Sequence, residues 1–390
     1  MIKLPWKEQT VENSREDFVR EVMASEISKS KLCAKYGISR VTGDKWLKRY
    51  QSGEGFSNRS RAPFYTPNKT ANEIEKLVID VRVEHPAWGP RKIVRHLKNQ
   101  GYTSLPAPST VCSILKRNGF ISPQASQAAT PYKRFERASC NELWQTDFKG
   151  HFQMQDGTRC HPLTTIDDHS RFALSVDAKD NERYDGVVES FTRMLKTYGL
   201  PQALLCDNGN PWGTSQQAGF TRFEIWLMQL DVLPIHGRPL HPQTQGKEER
   251  FNRTLKDEVL KHKVIKNLAH AQDEFDNFRN CYNNIRPHHA LRLDSPAMHY
   301  SASRRLLPET VQDWIYPSEY KCRKINKGYL RLKGRHYYLS EAFCGFTVAL
   351  KESSLNNCVN VYYRNFKIAR LSLDEGCFLS RKIFRLDPQD

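Results

Sequence analysis

The 390-residue chain carries 60 Lys and Arg against 43 Asp and Glu, a net charge of +17, and a sequence pI of about 9.4. So basic a balance points to a polyanionic partner, and the length suits two to four domains. The ten cysteines show no CxxC pair, which argues against zinc modules and a secreted disulfide framework and leaves them as small buried hydrophobes in a reducing cytosol. Neither a signal peptide nor an apolar run of about 18 residues is present, so no membrane partner is expected. The charge is uneven: residues 1–140 hold 25 basic and 13 acidic residues, which makes the N-terminal part the electrostatic anchor.

Residues 1–52 read as a helical DNA-binding domain, with three short helices over 15–50. Ala34 lies inside the second, Gly37 marks the turn, and Ser39 is placed to cap the third. Ile38, Val41, Trp46 and Leu47 are expected to pack inward, leaving Arg40, Thr42, Lys45 and Lys48 to face a major groove. Residues 53–69 form a basic linker whose Arg59 and Arg61 could follow a phosphate backbone or a minor groove. A second helix-turn-helix-like domain spans 70–122, with helices near 71–84, 90–99 and 108–118. Its Trp88-Gly89-Pro90-Arg91-Lys92 puts two cations at a helix N-terminus, where backbone N–H groups favour phosphate. Trp88 itself reads as a core staple, and 123–139 as a linker.

The segment 140–300 alternates in the manner of an α/β core. Strands are predicted at 143–154, 160–166 and 172–176, then a helix at 184–198, strand 203–206, helix 218–230, strand 232–235, a helix in the 240s, and another at 267–283. Three antiparallel strands followed by αβαβα is the order of a ribonuclease H-like fold. After a linker at 301–320, short β-rich runs over 321–375 suggest a small C-terminal β-barrel with a basic surface, and 376–390 is a tail.

Three acidic positions stand out in the core. Asp147 follows the apolar run ending Trp144-Gln145-Thr146, Asp207 follows Ala203-Leu204-Leu205-Cys206, and Glu248-Glu249 open a helix capped by Thr244. Bare carboxylates brought together raise one another's pKa. Two divalent ions about 3.5–4 Å apart resolve that repulsion and support in-line displacement at phosphorus, and Mg²⁺ is the hard, oxygen-seeking ion for the task. Helical neighbours point about 100° apart, so both glutamates cannot serve the same ions equally. Periodicity alone favours Glu248, which shares a face with Phe251 and Leu255.

With these residues in view the chain resembles a DDE transposase of a bacterial insertion sequence, with a retroviral-integrase-like catalytic core. The resemblance rests on Trp144-Gln145-Thr146-Asp147, on Asp207-Asn208-Gly209, and on Gln243-Thr244-Gln245-Gly246-Lys247-Glu248-Glu249-Arg250-Phe251-Asn252-Arg253; Tyr282-Asn283-Asn284, Arg286-Pro287-His288 and Pro296 match the region that closes such cores. It implies Asp147, Asp207 and Glu249 as catalytic residues and metal ligands for two Mg²⁺ ions (Mn²⁺ substituting), because the family's glutamate follows the loop glycine by three. It also implies that Arg253 and Lys256 present cations to a DNA end. Forty-one residues separate Asp207 from Glu249, more than in many relatives, and the loop 210–215 accounts for the excess. Asp167 and Asp168 read as turn and cap residues, and His288 and His289 as structural.

The implied function is binding of an element's terminal inverted repeats, 3′-end cleavage and strand transfer. Its partners are double-stranded DNA and further copies of the chain, in a homodimer or higher assembly within the bacterial cytoplasm, nucleoid-associated when bound. A domesticated, non-catalytic DNA-binding regulator is the alternative; a missing carboxylate would have marked it, and all three are present.

Overall fold

The computed structural model describes residues 10–24, 26–59, 69–121, 137–209, 211–213, 219–237 and 246–386. Arg61, Thr244 and most of the 123–139 linker lie outside them. The chain divides into two compact units, 1–69 and 70–390. Among the described residues no helix is long and apolar enough to cross a membrane.

The first unit contains α1 (Val11–Ala24), α2 (Lys29–Lys35) and α3 (Arg40–Gln51) around Phe18, Val19, Leu32, Cys33 and Trp46. Gly37 takes the left-handed turn (φ 64°), and the Ser39 hydroxyl accepts from the Thr42 N–H at 3.1 Å, as the sequence predicts. Val41 departs from expectation and is 79% exposed. The inward face is held by Gly43 and Trp46; Val41 lies a quarter-turn or more away and shares the outer face with Lys45 and Lys48. At Gly43 a Cβ would sit 2.7 Å from Cys33 Sγ and 3.0 Å from Phe18 Cζ, so α3 rests on its neighbours through a bare backbone. Thr42 is half-buried, with its hydroxyl 2.9 Å from Ser39 Oγ, whereas Arg40, Lys45 and Lys48 are exposed. Arg59 is exposed as well, and pairs with Glu54.

The second unit begins with α4 (Asn72–Glu84), α5 (Pro90–Asn99) and α6 (Pro108–Arg117), with prolines opening the last two. Trp88 is fully buried among Val78, Ile93, Leu97 and Ile114, stacked on His85 at 3.7 Å. These helices pack on the α/β core through an Arg95–Asp294 ion pair of 2.7 Å and through Cys281, which joins their apolar cluster. Lys92, expected on a DNA-facing surface, is only 9% exposed; burial first, then the nearby Arg286, push its ammonium pKa down to about 7. A lysine so placed is withdrawn from phosphate. Arg91, one residue earlier, remains exposed.

The core sheet comprises β1 (Leu143–Phe148), β2 (Phe152–Gln153), β3 (Arg159–Asp167), β4 (Ala173–Lys179), β5 (Ala203–Cys206) and β6 (Leu233–His236). β3 pairs antiparallel with β1, β2 and β4, while β1–β5 and β5–β6 are parallel. With the connecting helices α7 (Tyr184–Tyr198) and α8 (Arg222–Gln229), this is a ribonuclease H-like order. The predicted first strand is broken at Gly150 (φ 81°) into β1 and β2. One face carries Trp144, Leu163, Phe191 and Phe223 under α7 and α8. The other carries Ile166, Val176, Phe251, Leu255 and Phe275 under α9 (Gly246–Leu255) and α10 (Leu268–Asn280). Both of those helices run on into π-helical turns, Lys256–Leu260 and Cys281–Ile285. The second carries Asn283, whose side chain bonds both backbone groups of Ala173 at 2.8 and 2.9 Å and seals the start of β4.

The C-terminal strands are β7 (Lys321–Lys324), β8 (Tyr329–Leu332), β9 (Arg335–Tyr338), β10 (Thr347–Glu352), β11 (Cys358–Tyr363), β12 (Phe366–Ser372), β13 (Cys377–Ser380) and β14 (Phe384–Arg385). The sequence predicts a closed barrel here, and the pairing corrects it. The ladder runs β13-β12-β11-β10-β7 with β14 added to β12, and β8–β9 is a separate hairpin. Left-handed Lys327-Gly328 and Lys333-Gly334 fold that hairpin back on itself. Leu330, Tyr337 and Leu339 then cover the sheet's apolar face by side-chain packing instead of extending its hydrogen bonds. Phe220, Ile225 and Met228 join the same cluster, so α8 links the sheet to the core.

Overpacking a buried contact costs about 1–3 kcal/mol. Gly43→Ala is therefore expected to lower the melting temperature of the N-terminal unit, whereas Gly55→Ala, with open space around it, leaves it within a degree or two. Differential scanning calorimetry of the full chain checks this.

Candidate active site

Register alone brings the first two carboxylates together. Leu143 lies opposite Ala203 and Gln145 opposite Leu205 in the parallel pairing. Side chains alternate along a strand, so Asp147, two residues past Gln145, and Asp207, two past Leu205, leave the same face at the C-terminal ends of adjacent strands. Ligand sites of open α/β sheets lie at such ends. Trp144, three residues from Asp147, points the other way into the core under α7. Burial first, and then the charge of Asp207, push the Asp147 carboxyl up to about 7. Among the described residues neither aspartate forms an ion pair, and the side-chain bond to Asp147 is a long one from Asn252 Nδ2, at 3.5 Å.

Asn252 belongs to α9, which lies across this face. Thr164, the cross-strand partner of Asp147, joins helix to sheet: its hydroxyl meets the Asp147 carbonyl at 3.2 Å, Asn252 Oδ1 at 3.1 Å, and Glu248 Oε1. The one hydroxyl hydrogen is thus shared among three oxygens. Glu248 is 1% exposed, and burial, with Asp147 adding to it, raises its pKa well above the ordinary carboxyl value. Among the described residues Glu248 Oε2 is buried without a hydrogen-bond partner.

Glu249, about 100° further round the helix, is exposed and turns to Arg253 at 3.5 Å. Together with Lys149, Asn252, Lys256, Asp257 and Lys261 these two line an open groove of about 430 Å³. The two aspartates thus meet, while Glu249 stands on the rim with Arg253 and Lys256. Among the described residues no three His, Cys, Asp or Glu converge closely enough to hold an ion. The hard oxygen donors Asp147 and Asp207, without an ion-pair partner among the described residues, fit a divalent cation such as Mg²⁺. For Glu249 to join them it must leave Arg253, and an exposed i,i+4 pair is worth only about 0.3–0.5 kcal/mol.

Two buried clasps hold this arrangement from behind. Asp168, fully buried, accepts from Gln145 Nε2 at 2.7 Å and the Arg137 N–H at 2.8 Å, and pairs with Lys247 in the first turn of α9. Asp167 accepts from the Ser170 N–H and hydroxyl and from the Asn141 N–H at 2.6–2.8 Å; burial raises its pKa. Both aspartates are structural, as the sequence suggests. Behind Asp207, His236 sends Nδ1 to the Asp207 carbonyl and Nε2 to Glu224, both at 3.0 Å. Burial alone would lower its pKa; hydrogen bonds to Cys206 and Glu224 override this and raise it to about 11. His288 is buried against the Tyr282 carbonyl at 3.1 Å and, pushed down to about 2 by burial, is neutral and structural.

Lys149, Glu224 and His236 were not singled out by sequence reasoning. Lys149 follows Asp147 by two, a spacing that strand alternation offers as a signal. The other two depend on partners 12 and 29 residues away and leave no local trace.

Comparisons with known proteins agree with this architecture. Residues 137–242 and 230–296 match two family models, each described as an integrase core domain, and residues 42–115 match a homeodomain-like domain. An uncharacterized 39.2 kDa protein of insertion element IS476 from Xanthomonas euvesicatoria is 29% identical over 40% of this chain and 43% of its own length. A 31.7 kDa protein of IS407 from Burkholderia multivorans is 28% identical over 40% and 54%. The chain thus spans about half the length of these relatives. The transposase of insertion sequence IS21 from Pseudomonas aeruginosa is 23% identical over 75% and 76%. Among solved structures, the HTLV-2 integrase catalytic core in complex with magnesium aligns with a TM-score of 0.33 at 17% identity, over 42% of this chain and 99% of that one. This chain carries an integrase core domain, and its resemblance is to insertion-element transposases.

An acid whose pKa is raised by folding destabilises the fold as it ionises. Stability linked to Asp147 is intact below about pH 4 and is lost as pH rises through about 7. Without divalent metal, Asp147→Asn is therefore expected to melt several degrees above the wild type at pH 8, with the gap closing toward pH 4; calorimetry across that range checks it.

Proposed function

We propose that this chain is a transposase that binds the ends of a mobile element and carries out metal-dependent 3′-end cleavage and strand transfer. The observation that carries the reading is the placement of Asp147 and Asp207 on one sheet face, at adjacent strand ends, beneath the glutamate helix. Asp147, Asp207 and Glu249 would hold two Mg²⁺ ions, with Mn²⁺ as a substitute; such ions supply an activated water or 3′-hydroxyl and stabilise the leaving oxygen. Asn252 steadies Asp147, and Thr164 ties its strand to α9. Arg253, Lys256 and Lys149 line the groove beside Glu249, where they can take up the phosphates of a DNA end. Since water and a 3′-hydroxyl are successive nucleophiles, no covalent protein–DNA intermediate is required.

Addressing belongs to the N-terminal helices. Arg40, Lys45 and Lys48 stand out from α3 with exposed Val41 among them, a combination suited to base edges and a thymine methyl. Thr42 serves first as part of the cap, and Arg59 and Arg91 offer phosphate contacts. The partner is double-stranded DNA. Joining two ends calls for a homodimer or larger assembly, working on DNA in the bacterial cytoplasm. The burial of Glu248 near Asp147 favours a second version of the triad, in which Glu248 is the third ligand.

Two experiments test these assignments. Asp207→Asn should abolish cleavage of a labelled repeat-end duplex while leaving gel-shift binding within about twofold; retained cleavage ends the metal-site reading. Glu249→Gln should lose cleavage by at least 100-fold in Mg²⁺ and Mn²⁺, with Glu248→Gln retaining a substantial fraction, and the reverse order assigns the triad to Glu248.

A further inference from the structure

We propose that His236, oriented by Glu224, is a positioning residue that fixes the backbone of Asp207 and thereby the metal affinity of the site. The inference rests on the metal-site reading above. Asp207 stands just past the end of β5, exposed, and among the described residues its side chain is bonded to the next N–H, that of Asn208, at 2.7 Å. Its direction is therefore set through its main chain. The Asp207 carbonyl receives His236 Nδ1–H at 3.0 Å, from the last residue of the neighbouring strand β6. On the ring's other side, Nε2–H donates to Glu224 Oε1 at 3.0 Å. Cys206 Sγ also lies 3.7 Å from Nδ1, and since the Asp207 carbonyl and the Glu224 oxygen are both acceptors, the ring cannot turn over without losing a bond.

Glu224 is itself fixed. Its other oxygen receives the Thr221 N–H at 2.6 Å and hydroxyl at 3.0 Å in the capping box of α8. Thr221 Oγ1 also lies 3.1 Å from the Trp212 carbonyl, beyond Asp207 in the chain. Trp212 is buried among Phe148, Phe191 and Phe223. At Gly213 a Cβ would lie 2.9 Å from His236 Cε1, so the chain turns directly against the imidazole. The segment bearing Asp207 is thus held before the carboxylate by β5 and behind it by Trp212, with the His236–Glu224 pair joining the two ends. Outer-shell partners of this kind alter metal affinity about 10- to 100-fold when removed.

Two amides separate positioning from plain stability. His236→Asn places its amide N–H near the position of Nδ1, so it keeps the donor to the Asp207 carbonyl and gives up Glu224. His236→Gln reaches the position of Nε2, so it keeps Glu224 paired and gives up Asp207. Binding of Mn²⁺ to the full chain, followed by the electron paramagnetic resonance signal of the free ion, should stay within about threefold of wild type for His236→Asn and weaken about tenfold or more for His236→Gln. Single-turnover cleavage should need correspondingly more Mn²⁺ in the Gln variant, and gel-shift binding in EDTA should be unchanged in both. Equal affinities for the two variants, or the reverse order, would overturn the proposal. Asp207→Asn is run alongside: if it binds Mn²⁺ like wild type, the metal-site reading fails, whereas loss of binding there with indifference at His236 sinks only the positioning role.

Discussion

The repulsion between Asp147 and Asp207 is the constraint around which the core is built. Parallel pairing of β1 with β5 leaves no freedom in their approach: once Leu143 and Ala203 are in register, both carboxylates emerge side by side. Hydrophobic clusters on both faces make that register costly to change, since a one-residue slip turns every buried side chain outward. The apolar core therefore buries one carboxyl and sets a second beside it, and burial first, then the charge of Asp207, push Asp147 up to about 7. A divalent cation held as proposed would remove the cost, which would make the stability of this face and its chemistry one problem.

The polar scaffold around the pair answers a second requirement, that buried hydrogen-bonding groups be satisfied. Asp167 and Asp168 differ from the candidate ligands in just this respect. Their oxygens are already used by backbone N–H groups, a hydroxyl, Gln145 and Lys247. A carboxylate with its acceptors filled ties segments together; Asp147, with a backbone bond from Phe148 and one long contact from Asn252 among the described residues, is less fully used. The same distinction separates His288, spent on the Tyr282 carbonyl, from a metal-binding histidine.

Most of the helices, the strand order and the two aspartates were legible because each depends on local signals: periodicity, prolines at helix starts, Gly37 in its turn, apolar runs ending in Asp. What escaped depends on tertiary partners. Val41 looked inward on hydrophobicity alone, but the close approach of α3 to Cys33 and Phe18 needs the smallest residue, and Gly43 takes that face. Lys92 looked available because its partners Glu258 and Arg286 are more than 160 residues away. The closed barrel failed for a related reason. Alternation and turns identify strands but not which edges pair, and two left-handed Lys-Gly turns leave β8–β9 as a self-contained hairpin.

The adjacent glutamates show how the fold distributes charge that it cannot cancel. A helix laid across the aspartates must present some residue to them, and an ionised side chain buried there would add a third negative charge. Glu248 occupies that inward position, its pKa raised by burial and by Asp147, and accepts from the hydroxyl that also supports Asp147. Glu249, one residue on, stays in solvent beside Arg253. The helix thus carries one carboxyl suited to holding it on the sheet and one free to change partners. The exposed glutamate can turn to a new partner without unpicking the contacts that hold helix to sheet, whereas the buried one would have to give up the bond it accepts from the Thr164 hydroxyl.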